Sequence, residues 1–95
     1  MKEVLLSADG PAYLYLVPDE IADNLEKYCM DFCDRWIWGG PESSRFIINN
    51  VACYGVDDFI YYLNKYVCPD EKARLIRTFT ASVPKQYRFH PYFNF

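Results

Sequence analysis

The sequence predicts an α+β fold in a single domain of 95 residues, in which an N-terminal β-hairpin packs on a long amphipathic helix. Two observations lead to this prediction. Short runs rich in strand-forming residues open the chain, and a segment with helical periodicity, residues 18–38, follows them directly. Two further short helices and an aromatic C-terminal tail, folded back on the body, complete the predicted structure. A chain of this length is expected to build one core.

The start of the chain is expected to form the hairpin. Residues 4–8 and 12–17 are rich in valine, leucine and tyrosine, which suit strands. Asp9 and Gly10 between them are typical of a tight turn, but Pro11 has no amide hydrogen to close a two-residue turn. The sequence therefore predicts a longer or bulged loop between the two strands.

Residues 18–38 form the longest periodic segment of the chain. Their apolar side chains fall within an arc of roughly 140° on a helical wheel, which is wide enough to face a core. Pro18 suits a first helical position, and the Gly-Gly-Pro sequence at 39–41 ends the helix. Charged residues of alternating sign line the opposite side at i,i+4 spacing, which predicts ion pairs along the helix. These residues are Asp23, Lys27, Asp31 and Arg35.

The segment after this helix is open to two interpretations. Residues 41–45 predict one helical turn. Residues 46–54 then carry apolar runs on both sides of Asn49 and Asn50, which tolerate left-handed backbone conformations. Either a short second hairpin or an ordered loop satisfies this pattern, and we favour a loop that contains an extended stretch.

The second and third helices are expected on either side of a proline. Residues 56–67 place apolar side chains on one face at helical spacing and acidic residues in the first turn. Pro69, followed by two acids, repeats the kind of opening seen at Pro18 and predicts a third helix of about two to three turns. The side chains expected to point inward from it are Leu75, Ile76 and Phe79.

The last quarter of the chain differs from the rest in charge. All 13 acidic residues lie within residues 1–71 together with five basic ones, whereas residues 72–95 hold five basic residues and no acid. Two prolines exclude a continuous helix from the tail, 83–95, and five exposed aromatic rings would create a large apolar patch. We therefore expect the tail to fold back on the body, with the acidic first helix as its electrostatic partner.

No catalytic, cofactor or metal site can be recognised in the sequence. The one histidine, His90, has no partner base or nucleophile nearby in the chain. The four cysteines lack zinc-site spacing, so buried free thiols are expected, although a cysteine-based metal site and a small enzyme stay open as alternatives. No apolar run reaches the roughly 18 residues of a membrane span, and no signal-peptide pattern is visible. A cytoplasmic protein without a membrane partner is expected.

The aromatic content is the best indication of function. The chain has nine tyrosines, and tyrosine is enriched at protein interfaces. We therefore expect a small non-catalytic protein-binding or regulatory module with an unidentified protein partner, and a homodimer stays open. Binding of single-stranded nucleic acid by the basic aromatic tail is the less favoured alternative. The candidate partner-binding residues are Trp38, Tyr61, Tyr62, Tyr87, Arg88 and Tyr92.

Four stretches resemble a group of short, uncharacterised bacterial proteins. They are VPDEIADNLEKYC, FCDRW, CYGVDDFIYYLNKYVCPDEK and PYFNF, and the likeness covers most of the chain. The resemblance implies a bacterial, cytosolic, single-domain protein. The group brings no activity, cofactor or catalytic residue, so the resemblance implies nothing about chemistry.

Overall fold

The fold is α+β, as predicted, and a computed structural model describes it over residues 1–95. In chain order the strands are β1 (Lys2–Ser7), β2 (Ala12–Val17), β3 (Ile47–Ile48), β4 (Val51–Ala52), β5 (Arg74–Phe79) and β6 (Tyr92–Asn94). The helices are α1 (Asp19–Asp23), α2 (25–39), α3 (Ser43–Phe46) and α4 (56–67), and a 3-10 turn covers Lys85–Tyr87. None of the helices is long and apolar enough to cross a membrane.

The main sheet has the strand order β5-β2-β1-β6. The predicted hairpin of β1 and β2 forms its centre, and the loop between these strands is longer than a two-residue turn, as Pro11 indicated. β2 also pairs antiparallel with β5, and β1 pairs parallel with β6. β5 and β6 therefore run in the same direction at opposite edges, so the segment between them, residues 80–91, crosses the sheet.

The two faces of the main sheet are covered by different parts of the chain. One face meets the helices in a core of 15 buried residues, to which the sheet contributes Val4, Leu6, Tyr15 and Val17. The other face, here called the back face, holds a smaller buried cluster of Leu5, Ala12, Leu14 and Phe79. Val83 and Tyr87 of the crossing segment pack on this cluster. The alternation of side chains along each strand separates the two clusters.

The prediction of one long helix over 18–38 is wrong. α1 and α2 are separated at Asn24, whose backbone leaves the helical region with φ −130° and ψ 37°. The side-chain amide of Asn24 donates to the carbonyl of Glu20 at 3.0 Å, and such local hydrogen bonds compete with those of the helix. The longest helix is therefore α2, with 15 residues.

The predicted row of ion pairs along this segment does not form. Asp23 pairs with Lys2 of β1 at 2.7 Å, while Lys27 and Arg35 make no ion pair. α2 also takes π-helical turns over Asp31–Trp36, where side chains four residues apart no longer stack above one another. The break at Asn24 and the wider turns remove the regular spacing on which the prediction depended.

Residues 47–52 form the short second hairpin, so the preference for a loop over residues 46–54 is wrong. β3 and β4 pair antiparallel, with Ile48 opposite Val51. Asn49 and Asn50 between them have positive φ angles of 52° and 63°. A two-residue turn of this kind needs positive φ at both positions, and asparagine adopts that conformation more readily than most residues.

The third helix predicted from Pro69 is a strand, β5. Ala73, just before this strand, is hydrogen-bonded to the side chain of Asn64 in α4. The Asn64 amide accepts a hydrogen bond from the Ala73 N–H at 2.7 Å and donates one to the Ala73 carbonyl at 3.1 Å. An amide in this position satisfies the groups that a neighbouring strand would satisfy, so this tertiary contact overrides the local preference for helix.

As an edge strand, β5 exposes side chains that a helix was expected to bury. Leu75 and Ile76 are 50% and 44% exposed, so their predicted inward orientation is wrong. Phe79 is buried as predicted, but it packs on the back face of the sheet and not among the helices. The difference arises because alternate side chains of a strand point to opposite faces.

The tail folds back on the body as a strand. β6 pairs with β1, and Asn94 accepts a hydrogen bond from the hydroxyl of Ser7 at 2.8 Å. Phe93 and Phe95 pack against the main core. None of the five basic residues of 72–95 pairs with an acid, so the predicted electrostatic docking on the first helix is wrong. Backbone pairing and ring packing hold the tail instead.

Asn64→Ala is expected to destabilise the protein by about 1–3 kcal/mol, because the N–H and the carbonyl of Ala73 would lose their partner in a partly buried site. Urea unfolding measures the loss. The control, Glu26→Ala at an exposed position of α2, is expected to stay within about 0.5 kcal/mol of the wild type. Equal stability of the two variants would show that the Asn64 contact does not hold the start of β5.

Gly40→Ala is expected to cost about 1–3 kcal/mol, since overpacking forces neighbouring atoms apart. A Cβ atom at residue 40 would lie 2.5 Å from the Trp36 carbonyl oxygen and 2.9 Å from Trp36 Cδ1. Gly39 is the matched control, because a Cβ atom there meets nothing within 4 Å. Gly39→Ala is expected to be neutral or to stabilise by up to about 1 kcal/mol. Thermal unfolding of both variants checks the difference, and equal effects would contradict the close approach.

Candidate binding surface

The six candidate partner-binding residues lie on two different sides of the sheet. Three belong to α2 and α4 on the helical side: Trp38, Tyr61 and Tyr62. Three belong to the crossing segment and β6 and line a cavity on the back face: Tyr87, Arg88 and Tyr92. The structure therefore does not bring the six residues together into one surface.

Two of the three residues on the helical side are engaged within the molecule. The ring of Tyr62 packs on that of Phe32, with 5.4 Å between the ring centroids. The hydroxyl of Tyr61 donates to the carboxylate of Glu42, at 2.8 Å from the nearer oxygen. Trp38 differs, since about half of its surface is exposed. The helical side thus offers one large free aromatic residue among the three that were predicted.

Glu42 is the centre of a polar cluster that the sequence did not predict. Its carboxylate accepts hydrogen bonds from the hydroxyls of Tyr61 and Tyr66 and pairs with Arg45 and Lys65. The hydrogen bonds from Tyr66 and Tyr61 lower the pKa of Glu42 to about 2. Three of the four partners lie in α4, so the cluster fastens the link between α2 and α3 to that helix. No spacing signal could reveal it, because Glu42 and Tyr66 are 24 residues apart.

Both arginines of β5 point to the back face of the sheet. Arg77 lies opposite Leu14 and Arg74 lies opposite Leu16 in the register of β2 and β5. Residues paired across two strands point to the same face, and Leu14 belongs to the buried back-face cluster. Arg74 and Arg77 therefore extend on the side of the sheet away from the helices.

Two further basic residues lie on the same side of the sheet. Lys85 and Arg88 of the crossing segment line a cavity of about 310 Å³ together with Leu5, which belongs to the back-face cluster. We call the four cations on this side the basic face: Arg74, Arg77, Lys85 and Arg88. None of the four makes an ion pair with a carboxylate. Their positive charge is therefore not neutralised by a direct partner in the molecule.

Two of the four cations of the basic face make cation–π contacts with aromatic rings. The guanidinium of Arg77 lies 4.7 Å from the ring centroid of Phe79, and that of Arg88 lies 4.7 Å from the ring centroid of Phe89. Such contacts orient a guanidinium but leave its N–H donors available. The basic face can therefore still bind carboxylate or phosphate groups.

Acidic residues are concentrated on the opposite side of the sheet. Residues 18–71 include all the helices and hold every acid of the chain except Glu3 and Asp9. Glu3 lies two residues before Leu5 in β1, so it is on the back face, where it contacts His90. The molecule thus has an acidic helical layer and a back face on which the four cations outnumber the carboxylate of Glu3. A partner with negative charge would be attracted to the back face and repelled by the helical layer.

His90 lies at the back-face cavity and contacts a carboxylate. Its Nε2 atom is 2.9 Å from Glu3 Oε1, and its ring packs edge-on against Tyr87, with 5.1 Å between the centroids. The contact with Glu3 joins the crossing segment to β1. No serine or cysteine lines this cavity, so the imidazole has no side-chain nucleophile of these types beside it.

The cysteines are free thiols in the structure. Burial raises the pKa of Cys29 strongly and also raises the pKa of Cys33 and Cys68, so these three thiols are protonated at neutral pH. No group of three or more histidine, cysteine or acidic side chains is close enough to hold a metal ion.

Glu42→Gln is expected to lower the stability of the protein near pH 7, because the neutral amide accepts weaker hydrogen bonds from Tyr61 and Tyr66 and cannot pair with Arg45 or Lys65. The pKa of Glu42 is about 2 in the folded protein, against an ordinary value of 4.5. The advantage of the wild type is therefore complete above the ordinary pKa and is lost as the pH falls towards the folded value.

Denaturant unfolding of the wild type and of Glu42→Gln, from neutral pH down to about pH 3, measures this advantage. Glu26→Gln is the matched control, since Glu26 is exposed and makes no ion pair. The gap between the wild type and Glu42→Gln should narrow at acid pH. A gap that stayed constant would show that the ionised carboxylate does not stabilise this cluster.

Comparison with known proteins gives no relative to which the chain could be assigned. No protein-family model, no curated protein and no solved structure matches the chain. The resemblance to short bacterial proteins therefore stays an expectation, and nothing in these comparisons indicates a bacterial origin. A proposal on function therefore has to be argued from the shape and the charge distribution of the molecule.

Proposed function

We propose that the protein is a small non-catalytic binding module that recognises an acidic segment of a partner protein through its basic face. One observation carries this proposal: the four cations gather on one side of the sheet and none of them has an ion-pair partner in the molecule. A surface of one charge sign steers an oppositely charged partner towards it and favours one orientation of binding.

Exposed aromatic rings beside the basic face supply contact area for a partner. Phe89 is 87% exposed and Tyr92 is 58% exposed, and both lie close to Arg88 in the chain. Tyrosine and arginine are frequent among the residues that dominate binding energy at interfaces. Tyr87, Arg88 and Tyr92, three of the six candidate residues, are therefore the ones that support this surface.

Single-stranded nucleic acid is the second candidate ligand, and the same combination of cations and exposed rings favours it. The distribution of charge favours a protein segment instead. The chain carries a net charge of −3, and its helical layer repels a long polyanion that extends beyond the basic face. A short acidic segment can contact the basic face alone, since its charge does not reach the helical layer.

A homodimer through the basic face is disfavoured by like charge. Two copies joined in a symmetric dimer would bring the same four cations together across the interface. A contact between the basic face of one copy and the helical layer of the next would be head-to-tail, which continues into a chain of molecules unless it closes into a ring. An acidic partner protein would neutralise the basic face without bringing like charges together and without forming an open chain of molecules.

Reversing two charges of the basic face is expected to weaken the binding of an acidic peptide at least about tenfold, because the variant repels the carboxylates that the wild type attracts. The variant is Arg74→Glu/Arg77→Glu, and the probe is a fluorescein-labelled peptide of alternating glutamate and valine. Fluorescence anisotropy at low and at physiological salt measures the affinity, which should fall as salt is added.

Lys27→Glu/Arg35→Glu is the matched control, since it changes the net charge equally but on α2 in the helical layer. It is expected to reduce the affinity much less than the basic-face variant. Failure of the wild type to bind the peptide, or an equal loss in both variants, would contradict the proposal. Tighter binding of a labelled oligothymidine than of the peptide, abolished by the basic-face variant, would assign the surface to nucleic acid instead.

A further inference from the structure

We propose that the acidic segment binds as an additional β-strand along the open edge of β5. This inference rests on the proposed function and specifies its geometry. Strand addition uses the backbone of the sheet edge for affinity and the neighbouring side chains for specificity. β5 provides both, because its backbone has an unpaired side and its side chains differ between the two faces of the sheet.

The outer side of β5 has no partner in the molecule. The strand pairs with β2 only, and outside the sheet ladder no backbone hydrogen bond involves its residues. The register of β2 and β5 shifts between Leu14 and Tyr15, so Ile76 is an additional, bulged residue of β5. On either side of this bulge, alternate N–H and carbonyl groups of β5 point away from the sheet. At about 3.3 Å per residue, this edge is roughly 20 Å long, which suits an added segment of about six residues. The opposite edge strand, β6, has only three residues.

The register of β5 defines the side chains that an added strand would meet. Arg74 and Arg77 point to the back face, whereas Leu75 lies opposite Tyr15 and points to the helical side. Side chains of neighbouring strands interact when they share a face. A segment with acids on one face and apolar residues on the other would therefore place carboxylates beside the two arginines and apolar side chains beside Leu75. The fitting partner has alternating acidic and apolar residues.

A second copy of this chain does not fit the same edge. Antiparallel pairing of β5 with itself would bring Arg74 and Arg77 of the two copies together on one face, and like charges in neighbouring strands are destabilising. Arginines at an edge thus discourage self-association while they attract acids. The exposed surfaces of Leu75 and Ile76 beside them favour a specific partner, because an edge that only had to avoid pairing would need no apolar surface.

Backbone methylation of the peptide tests strand addition without changing any charge or side chain. In an extended glutamate–valine peptide, all glutamate N–H groups point to one edge and all valine N–H groups point to the other. One peptide is N-methylated at every glutamate, a second at every valine and a third at every residue. Strand addition predicts that the third loses at least about tenfold in affinity, because neither edge has N–H groups left, and that at least one of the first two binds like the parent peptide.

The outcomes separate this inference from the proposed function. If the fully methylated peptide binds like the parent, the segment binds by charge alone, so strand addition is excluded while the proposed function stands. If both singly methylated peptides lose as much affinity as the fully methylated one, strand addition is also excluded, since only one edge of the peptide can face β5. If the parent peptide itself does not bind, the proposed function fails and this inference fails with it.

Amide hydrogen exchange of the full chain gives an independent readout. With saturating parent peptide, the outward-facing amides of Arg74–Phe79 are expected to exchange at least about tenfold more slowly than in the free protein. The amides of Tyr92–Asn94 at the opposite edge are the internal control and should not change. Protection at the opposite edge alone, or no added protection in β5, would overturn the proposed geometry.

Discussion

The ring of Phe32 is the contact on which the helical layer depends. It has no exposed surface. It meets five other rings at centroid distances of 5.2–5.8 Å: Trp36, Tyr54, Phe59, Tyr62 and Phe95. These rings come from α2, the loop after β4, α4 and the residue that follows β6, so one side chain joins segments far apart in the chain. Each aromatic pair contributes about 0.5–1.5 kcal/mol beyond the burial of its surface.

The position of the basic face follows from this packing. Phe95 packs on Phe32 and follows β6, which lies at one edge of the sheet, while the Asn64 contact holds Ala73 just before β5 at the other edge. The segment between the two strands has to cross the back face, and it carries Lys85 and Arg88 there. Backbone pairing and apolar contacts thus place the cations, and no internal ion pair is needed to hold them.

The structure also separates residues used for folding from residues left for a partner. Tyrosine content alone could not make this distinction, since Tyr61 and Tyr62 are engaged by Glu42 and by the ring cluster, whereas Tyr92 is largely exposed. The basic character of the last quarter could be predicted from the sequence. The shared location of its arginines could not, because Arg74 and Arg77 were assigned to a helix, in which they would not have shared a sheet face with the crossing segment.

The sequence by itself determined the α+β class, the hairpin of β1 and β2, the helix α4 and the end of α2 at the glycine pair, because periodicity and turn chemistry act over a few neighbouring residues. Only the tertiary structure decided that the segment after Pro69 becomes a strand, that Glu42 gathers its four donors, and that the four cations share one face. These features depend on hydrogen-bond and packing partners many residues away in the chain. The pattern of neighbouring residues in the sequence does not identify such partners.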